Sequence, residues 1–167
     1  RPEFDEAEKN IKERINKLMS IKGNRSVDSI HKELGHIMWD HVGMGRDKKG
    51  LEEAIEMLKA LKKEFWSNVR IPGKADDLNV ELEKALRLAD FIEIGMLMAH
   101  DSLDREESCG GHFRLEHQTE DGEALRDDEK FSYVSCWQYK GEDKDPVMLK
   151  EPLDYEFVVR QQRNYKN

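Results

Sequence analysis

Apolar residues recur at spacings of three and four throughout the first hundred residues of the chain. This spacing places apolar side chains on one face of an α-helix and leaves the opposite face to charged residues. The four stripes of this kind are Phe4, Ala7, Ile11, Ile15 and Leu18; Val27, Ile30, Leu34, Ile37 and Met38; Leu51, Ala54, Ile55, Leu58, Leu61 and Phe65; and Leu82, Ala85, Leu86, Ala89, Ile92, Met96, Ala99 and Leu103. The pattern predicts four amphipathic helices, the first over residues 4–21 and the longest over residues 78–103, with the stripes as the core.

Helix-breaking residues separate the four stripes. The breaks are Gly23-Asn24, Gly43-Met44-Gly45 and Ile71-Pro72-Gly73, and the N-caps on offer are Ser26 or Asp28, then Asp47, then Asn79 or Asp77. Short loops between long helices favour antiparallel neighbours. We therefore predict a mainly α fold. It is an antiparallel three-helix bundle, similar to a spectrin repeat, with a leading helix and an extended or β-hairpin tail at the C-terminus.

The longest predicted helix ends at residues 105–114, which are rich in charged and hydrogen-bonding groups. Gly110 and Gly111 mark a forced turn there, because glycine takes positive φ without steric cost. One interpretation is a helix C-terminus with a glycine cap and flanking surface charges. The other is a set of groups that pair with each other or meet a partner surface. The composition of the segment leaves both open.

Beyond this segment the helical period disappears. Residues 115–130 are polar and acidic and predict an exposed loop with no further helix. Residues 131–139 and 155–159 carry apolar or aromatic groups with a period of two, which predicts two strands with a long connection. An isolated hairpin is marginal, so we expect it to lie on the helices or on another part of a longer chain. The prediction is one domain, with residues 1–104 as the bundle and residues 105–167 as turn, loop and tail.

Composition narrows the classes of function. Charged residues make up 38% of the 167 residues and the formal net charge is -8, whereas binding to a nucleic-acid backbone requires a basic face. The sequence contains no apolar run long enough to predict a transmembrane helix. Two cysteines, Cys109 and Cys136, in a chain without the character of a small secreted domain, are typical of a reducing compartment. The start at Arg1, without methionine, suggests a piece of a longer chain.

The histidines and cysteines do not form a metal-binding pattern. His31, His36 and His41 are five residues apart on one predicted helix, so their side chains point in different directions. Cys109 and His112 have a spacing that zinc ligands use, but no second pair completes a tetrahedral site. We predict no metal site in this chain.

Motifs for nucleophilic catalysis and dinucleotide binding are equally weak. An activated thiol at Cys109, beside His112, is disfavoured by the helix C-terminus and by the adjacent glutamates. The sequence Gly43-x-Gly45 lacks both the third glycine and the preceding strand of a dinucleotide-binding fingerprint. The residues themselves therefore indicate docking rather than chemistry in place.

Residues 105–114 resemble a signature near the C-terminus of the flavoprotein subunits of succinate dehydrogenase and fumarate reductase, Arg-x-Glu-Ser-Arg-Gly-x-His-x-Arg. The matching positions are Arg105, Glu107, Ser108, Gly110, Gly111, His112 and Arg114. The likeness continues, in order, at Trp39-x-x-x-Gly43, Gly50-Leu51-Glu52-x-Ala54, Asn79-x-Glu81-Leu82, Arg126-Asp127-Asp128-Glu129 and Arg163-Asn164-Tyr165. Cys109 in place of the usual arginine, a longer loop after His112 without proline, and Phe131 in place of a common tryptophan indicate a divergent branch.

The resemblance implies the C-terminal helical domain of a flavoprotein that interconverts succinate and fumarate and passes electrons through FAD to an iron–sulfur subunit. In that family FAD and the catalytic residues lie in upstream domains. The resemblance therefore assigns no catalytic or cofactor-binding residue to this chain, which by itself would be inert. The implied partners are the flavin and capping domains of the same protein and the iron–sulfur subunit. The membrane is reached only through an anchor subunit, at its cytoplasmic side, and no nucleic acid is involved.

We expect the matching residues of the signature, with Asp127 and Asp128, to serve docking or structure. If Arg105 and Arg114 anchor the domain to a partner, replacing either by alanine weakens assembly and leaves the helices folded. Unfolding of an Arg105→Ala variant would instead support the capping interpretation. The alternatives for the whole chain are a free-standing helical interaction module and the C-terminal domain of a related L-aspartate oxidase or adenylylsulfate reductase.

Overall fold

A computed structural model describes residues 1–141 and 144–161 of the chain. The helices are α1 (Pro2–Ser20), α2 (Val27–Val42), α3 (Lys48–Asn68), α4 (Val80–Asp104) and the short α5 (Asp128–Phe131). The strands are β1 (Arg25–Ser26), β2 (Gly45–Arg46), β3 (Val69–Arg70), β4 (Phe113–Arg114), β5 (Tyr133–Gln138) and β6 (Val147–Pro152). The predicted mainly α class is confirmed. No helix in these described residues is both long and apolar enough to cross a bilayer.

Polar side chains cap the N-termini of three of the four long helices. Ser26 accepts a hydrogen bond from the backbone N–H of Ser29, and Asp47 accepts one from that of Gly50 at 2.7 Å. Asn79 does the same at the start of α4. These caps satisfy N–H groups that have no partner inside their helices. Of the two pairs of candidates left open by the sequence, Ser26 and Asn79 are the caps.

The core lies between α2, α3 and α4, and nearly all of the predicted stripes of these helices face it. The buried apolar side chains are Val27, Ile30, Leu34, Ile37, Val42, Leu51, Ala54, Ile55, Leu58, Leu61, Phe65, Leu82, Ala85, Leu88, Ala89, Ile92 and Ala99. On α4 the buried positions include Leu88 and Gly95, whereas Leu86 and Met96 are only partly buried. Gly95 permits this close packing, because a Cβ placed there would lie 3.1 Å from the sulfur of Met38 on α2.

The leading helix does not bury its whole stripe, contrary to the prediction. Leu18 is buried and Ile15 partly so, but Phe4 is 71% exposed and Ile11 54% exposed. The C-terminal half of α1 is held on α4, where Arg14 pairs with Asp90 at 2.6 Å. The N-terminal half of α1 is amphipathic without being covered by the described residues.

Three two-stranded sheets connect the loops between the helices and form the C-terminal tail. β1 pairs with β3 and β2 pairs with β4, both in parallel, and β5 pairs with β6 in antiparallel fashion. The two parallel pairs join loops that are far apart in the sequence. The β2–β4 pair brings the loop between α2 and α3 next to the end of residues 105–114.

The tail differs from the sequence prediction in two places. The second strand is β6, not residues 155–159, which form no strand and expose Phe157 and Val159. A short connection after β5 brings Val147 opposite Gln138, so pairing begins before the second predicted run is reached. A short helix, α5, also lies where a loop with no further helix was predicted; Asp127 caps it by accepting from Lys130 at 3.2 Å.

Candidate functional site

Arg105 ends α4 and holds the C-terminal tail. Its backbone N–H donates to the carbonyl of Asp101 at 3.1 Å. Its guanidinium donates to Glu107 at 2.8 Å and to the carbonyls of Phe131 and Tyr133, each at 3.1 Å. The guanidinium also lies over the Tyr133 ring, 5.0 Å from its centroid, within the range of a cation–π contact. One side chain therefore joins the end of the bundle to the start of β5.

Glu107 and Ser108 are buried, and both of their polar side chains have partners inside the chain. The second carboxylate oxygen of Glu107 accepts from the backbone N–H of Asp127 at 2.9 Å. The backbone N–H of Ser108 donates to the carbonyl of Leu125 at 2.8 Å. The Ser108 hydroxyl accepts from the backbone N–H of Arg114 at 2.8 Å and donates to its carbonyl at 3.2 Å. A buried carboxylate is stable only with such partners.

The two glycines form the tip of a tight turn and do not cap the helix. Gly110 has a φ of +59°, in the left-handed region, whereas the residue that caps α4 is Arg105. The backbones of Cys109 and His112 exchange two hydrogen bonds across the turn, at 2.8 and 3.0 Å. The glycine-cap interpretation is therefore wrong, and the predicted forced turn is confirmed. Cys109 and both glycines are exposed at its tip.

His112 bridges two arginines. Its Nε2 donates to the carbonyl of Arg105 at 2.8 Å and its Nδ1 accepts from the Arg46 guanidinium at 3.2 Å. Because a guanidinium can only donate, this geometry requires a neutral imidazole with its proton on Nε2. Burial lowers the pKa of His112 from its ordinary value; the bond to the Arg105 carbonyl opposes this shift, and the charges of Arg46 and Arg114 add to it. The site therefore keeps His112 neutral.

Arg114 is a buried member of one hydrogen-bonded network, the network of residues 105–114, which also includes Arg105, Glu107, Ser108 and His112. Its side chain is 1% exposed and donates to the carbonyls of Ser102 and Leu103, at 2.9 and 3.2 Å, in the last turn of α4. It also pairs with Glu116 at 3.2 Å. Arg46 donates to the hydroxyl of Ser102 at 2.6 Å, and burial lowers its pKa. Two arginines from β2 and β4 thus satisfy carbonyl and hydroxyl groups at the helix C-terminus, where the helix dipole favours cations.

The two predicted aspartates lie at the edge of this arrangement. Asp127 caps α5 and gives its N–H to Glu107. Asp128 instead pairs with Arg126 at 2.8 Å, which lowers the pKa of the Asp128 carboxyl. The structure therefore brings Asp127, but not the Asp128 side chain, into contact with the network of residues 105–114.

The contacts also include residues that the sequence did not single out: Arg46, Ser102, Glu116 and Tyr133. The only local sequence feature that could have identified any of them is the position of Arg46, directly after the helix-breaking Gly45. Within residues 1–141 and 144–161, no three His, Cys, Asp or Glu side chains are grouped to hold a metal ion, and both cysteines are exposed and unbridged. What the arrangement can do physically is fix the course of the backbone beyond α4.

Known proteins match this chain over a region that contains the network of residues 105–114. Residues 31–165 match the sequence model of the fumarate reductase flavoprotein C-terminal family, which includes every residue of the network. The fumarate reductase flavoprotein subunit of Proteus vulgaris is 30% identical over 128 residues, covering 77% of this chain and 21% of that protein. The corresponding subunit of Haemophilus influenzae is 26% identical over 117 residues, covering 70% of this chain and 19% of that protein.

A solved structure supports the fold. A chain of a quinol–fumarate reductase with menaquinol molecules superposes with a TM-score of 0.76 at 23% identity, covering 89% of this chain and 25% of that one. The chain spans about a fifth of the length of the curated relatives it matches. The last motif of the resemblance, at residues 163–165, lies outside the described residues. The family match, the relatives and the shared fold agree: the chain belongs to the fumarate reductase flavoprotein C-terminal family.

Proposed function

We propose that this chain is the C-terminal helical domain of an FAD-dependent flavoprotein that interconverts succinate and fumarate and passes the electrons to an iron–sulfur subunit. The observation that carries the proposal is the family match over residues 31–165. Flavin binding and the hydride chemistry belong to the preceding domains of the protein. We assign no catalytic group to this chain; the side chains of Arg105, Glu107, Ser108, His112 and Arg114 are hydrogen-bonded within it.

The role proposed for residues 105–114 is structural support of a docking surface. Arg114 is buried and hydrogen-bonded to α4, so it acts by holding the backbone and not by reaching a partner. Arg105 ties the same helix end to β5. The turn tip, Cys109 to Gly111, is exposed and is the part of the segment that can contact another surface. The two roles that the sequence suggested, structural support and docking, are thus assigned to different residues of the segment.

The surface proposed to receive the flavin domain lies beside this turn. Trp39 and Met44 are 82% and 86% exposed, and Leu115, whose backbone N–H donates to the carbonyl of Arg46, is 47% exposed. Exposed large apolar side chains in one region are characteristic of an interface. The occupant we assign is the upstream part of the same protein, since the matched part of this chain covers only 19% and 21% of these two relatives. The iron–sulfur subunit is the second proposed partner, and a peripheral position on the cytoplasmic side of the membrane follows through an anchor subunit.

The test uses the full natural protein, expressed with its neighbouring subunits. We expect bound flavin and oxidation of succinate with a dye acceptor, inhibited by malonate. A full protein without flavin would contradict the proposal and favour a free-standing interaction module. A flavin-containing protein that oxidises L-aspartate and not succinate would assign the chain to an L-aspartate oxidase.

A further inference from the structure

His112 connects the two parts of this chain that are proposed to face a partner. One is the turn tip, Cys109 to Gly111, which directly precedes it. The other is the loop Gly43-Met44-Gly45, in which Met44 is 86% exposed. The Arg46 guanidinium donates to the carbonyl of Gly43 at 3.0 Å and to Nδ1 of His112 at 3.2 Å. One guanidinium therefore holds the loop and fixes it to the turn.

The bond between Arg46 and His112 exists only while the imidazole is neutral. The Nε2 atom already uses its proton for the carbonyl of Arg105, at 2.8 Å. A second proton would therefore be added at Nδ1, where the lone pair accepts from Arg46. A guanidinium has no acceptor, so two donors and two positive charges would then face each other. Protonation replaces an attractive contact by a repulsive one.

The other charged groups around the ring do not relieve this repulsion. The cations that act on His112 come from three elements, and they are Arg46 on β2, Arg105 at the end of α4 and Arg114 on β4. Glu107 pairs with the second of these and Glu116 with the third. The carboxylate of Asp101, on α4, offsets part of the charge of the first. Burial lowers the pKa of His112 and these cations lower it further, against the bond to the Arg105 carbonyl.

We propose that His112 is a pH-sensitive switch of the docking surface: the neutral ring holds the turn tip to the loop of Met44, and protonation of the ring releases both. The inference rests on the proposed function, which defines that surface. Above pH 6.5, the approximate pKa of a solvated histidine, neither form binds the extra proton and the closed form is fully favoured. Below it the released form takes up the proton first, so opening increases up to about tenfold per pH unit until the closed form is protonated as well.

The test is hydrogen exchange of the full natural protein, with its FAD and its neighbouring subunits, at about pH 7.5 and about pH 5.5. Mass spectrometry follows peptides that cover residues 39–47 and 105–114, and each rate is corrected for the intrinsic pH dependence of amide exchange. Lowering the pH should increase the opening of both peptides several-fold, with about tenfold as the upper limit. A change below about twofold in either peptide would overturn the proposal.

Two variants assign the response to His112. The amide of His112→Gln accepts with its oxygen and donates with its nitrogen at any pH, as the neutral ring does, so this variant should lose the pH response. His112→Lys is cationic at both pH values and should show the same high opening at both; should the lysine prevent folding, the glutamine variant alone decides. The matched control is His100→Gln, a second histidine whose pKa is lowered by burial, and it should keep the response. A full pH response in His112→Gln would refute the assignment.

Flavin content and succinate oxidation, measured on the same samples at about pH 7.5, test the proposed function separately. Normal activity together with peptides that do not respond to pH would refute the switch and leave the proposed function in place. Absence of flavin, with both peptides responding as expected, would refute the proposed function and leave the switch within the chain supported.

Discussion

Removal of the Arg114 side chain should cost about 3–5 kcal/mol of unfolding free energy. Arg114 is 1% exposed, and its guanidinium satisfies two carbonyls in the last turn of α4. Hydrogen bonds to a charged group contribute about 1.5–3 kcal/mol each, and a buried acceptor left without a partner costs about 1–3 kcal/mol. The pair with Glu116 adds little, because that carboxylate is 39% exposed and screened by solvent. The total is a large part of the ~5–15 kcal/mol that stabilises a typical domain.

The assay is urea denaturation of the 167-residue chain, followed by tryptophan fluorescence and circular dichroism. The matched control is Arg87→Ala on the same helix, where a 68% exposed side chain pairs with Glu83. Exposed pairs of this kind contribute about 0–1 kcal/mol. Equal losses for Arg114→Ala and Arg87→Ala, both below about 1 kcal/mol, would refute the reasoning, since the buried network would then carry no more stability than a surface ion pair.

Three further predictions concern other features of the structure and are also measured by urea denaturation. Burial holds the pKa of His112 below its unfolded-state value, which is near 6.5. Below pH 6.5 the unfolded chain therefore binds more protons at this residue than the folded chain does. The stability due to His112 is thus full above pH 6.5 and decreases as the pH falls toward the folded-state pKa. His112→Gln should flatten this dependence and leave the slope due to His100; an unchanged slope would contradict the assignment. Gly110→Ala should cost about 1–2 kcal/mol because of its φ of +59°, and Gly111→Ala, with open space at its Cβ, should not; equal effects would count against a strained turn. Gly35→Ala should stabilise by about 0.5–1 kcal/mol, because this helical glycine also has open space at its Cβ, and any destabilisation would contradict that geometry.

The bundle was predictable because its signals are local. A spacing of three and four identified the buried faces of α2 and α3, and a polar residue before each stripe identified the caps. The same reasoning failed for α1, because periodicity shows that a face is apolar and does not show that another element covers it. Phe4 and Ile11 continue the stripe of Leu18 and remain exposed.

The network was less predictable because its contacts are distant in sequence. Arg46 meets His112 across 66 positions, and Asp127 meets Glu107 across 20. The resemblance identified residues 105–114 as a unit without giving their partners. The prediction for the tail was wrong for a related reason, since the period of residues 155–159 does not show which segment of the chain pairs with β5. The choice of Val147–Pro152 depends on the length of the connection.

Hydrogen exchange tests the central claim, that residues 105–114 form an internal network of this chain. The amides to follow are those of Ser108, Arg114 and Asp127, which lie outside helices α1–α4 and donate to Leu125, Ser108 and Glu107. In the 167-residue chain alone, we predict that these three exchange slowly, like amides in the middle of α4. Rapid exchange in this chain, with protection only in the complete flavoprotein, would contradict the account. It would show that the segment is ordered by a partner.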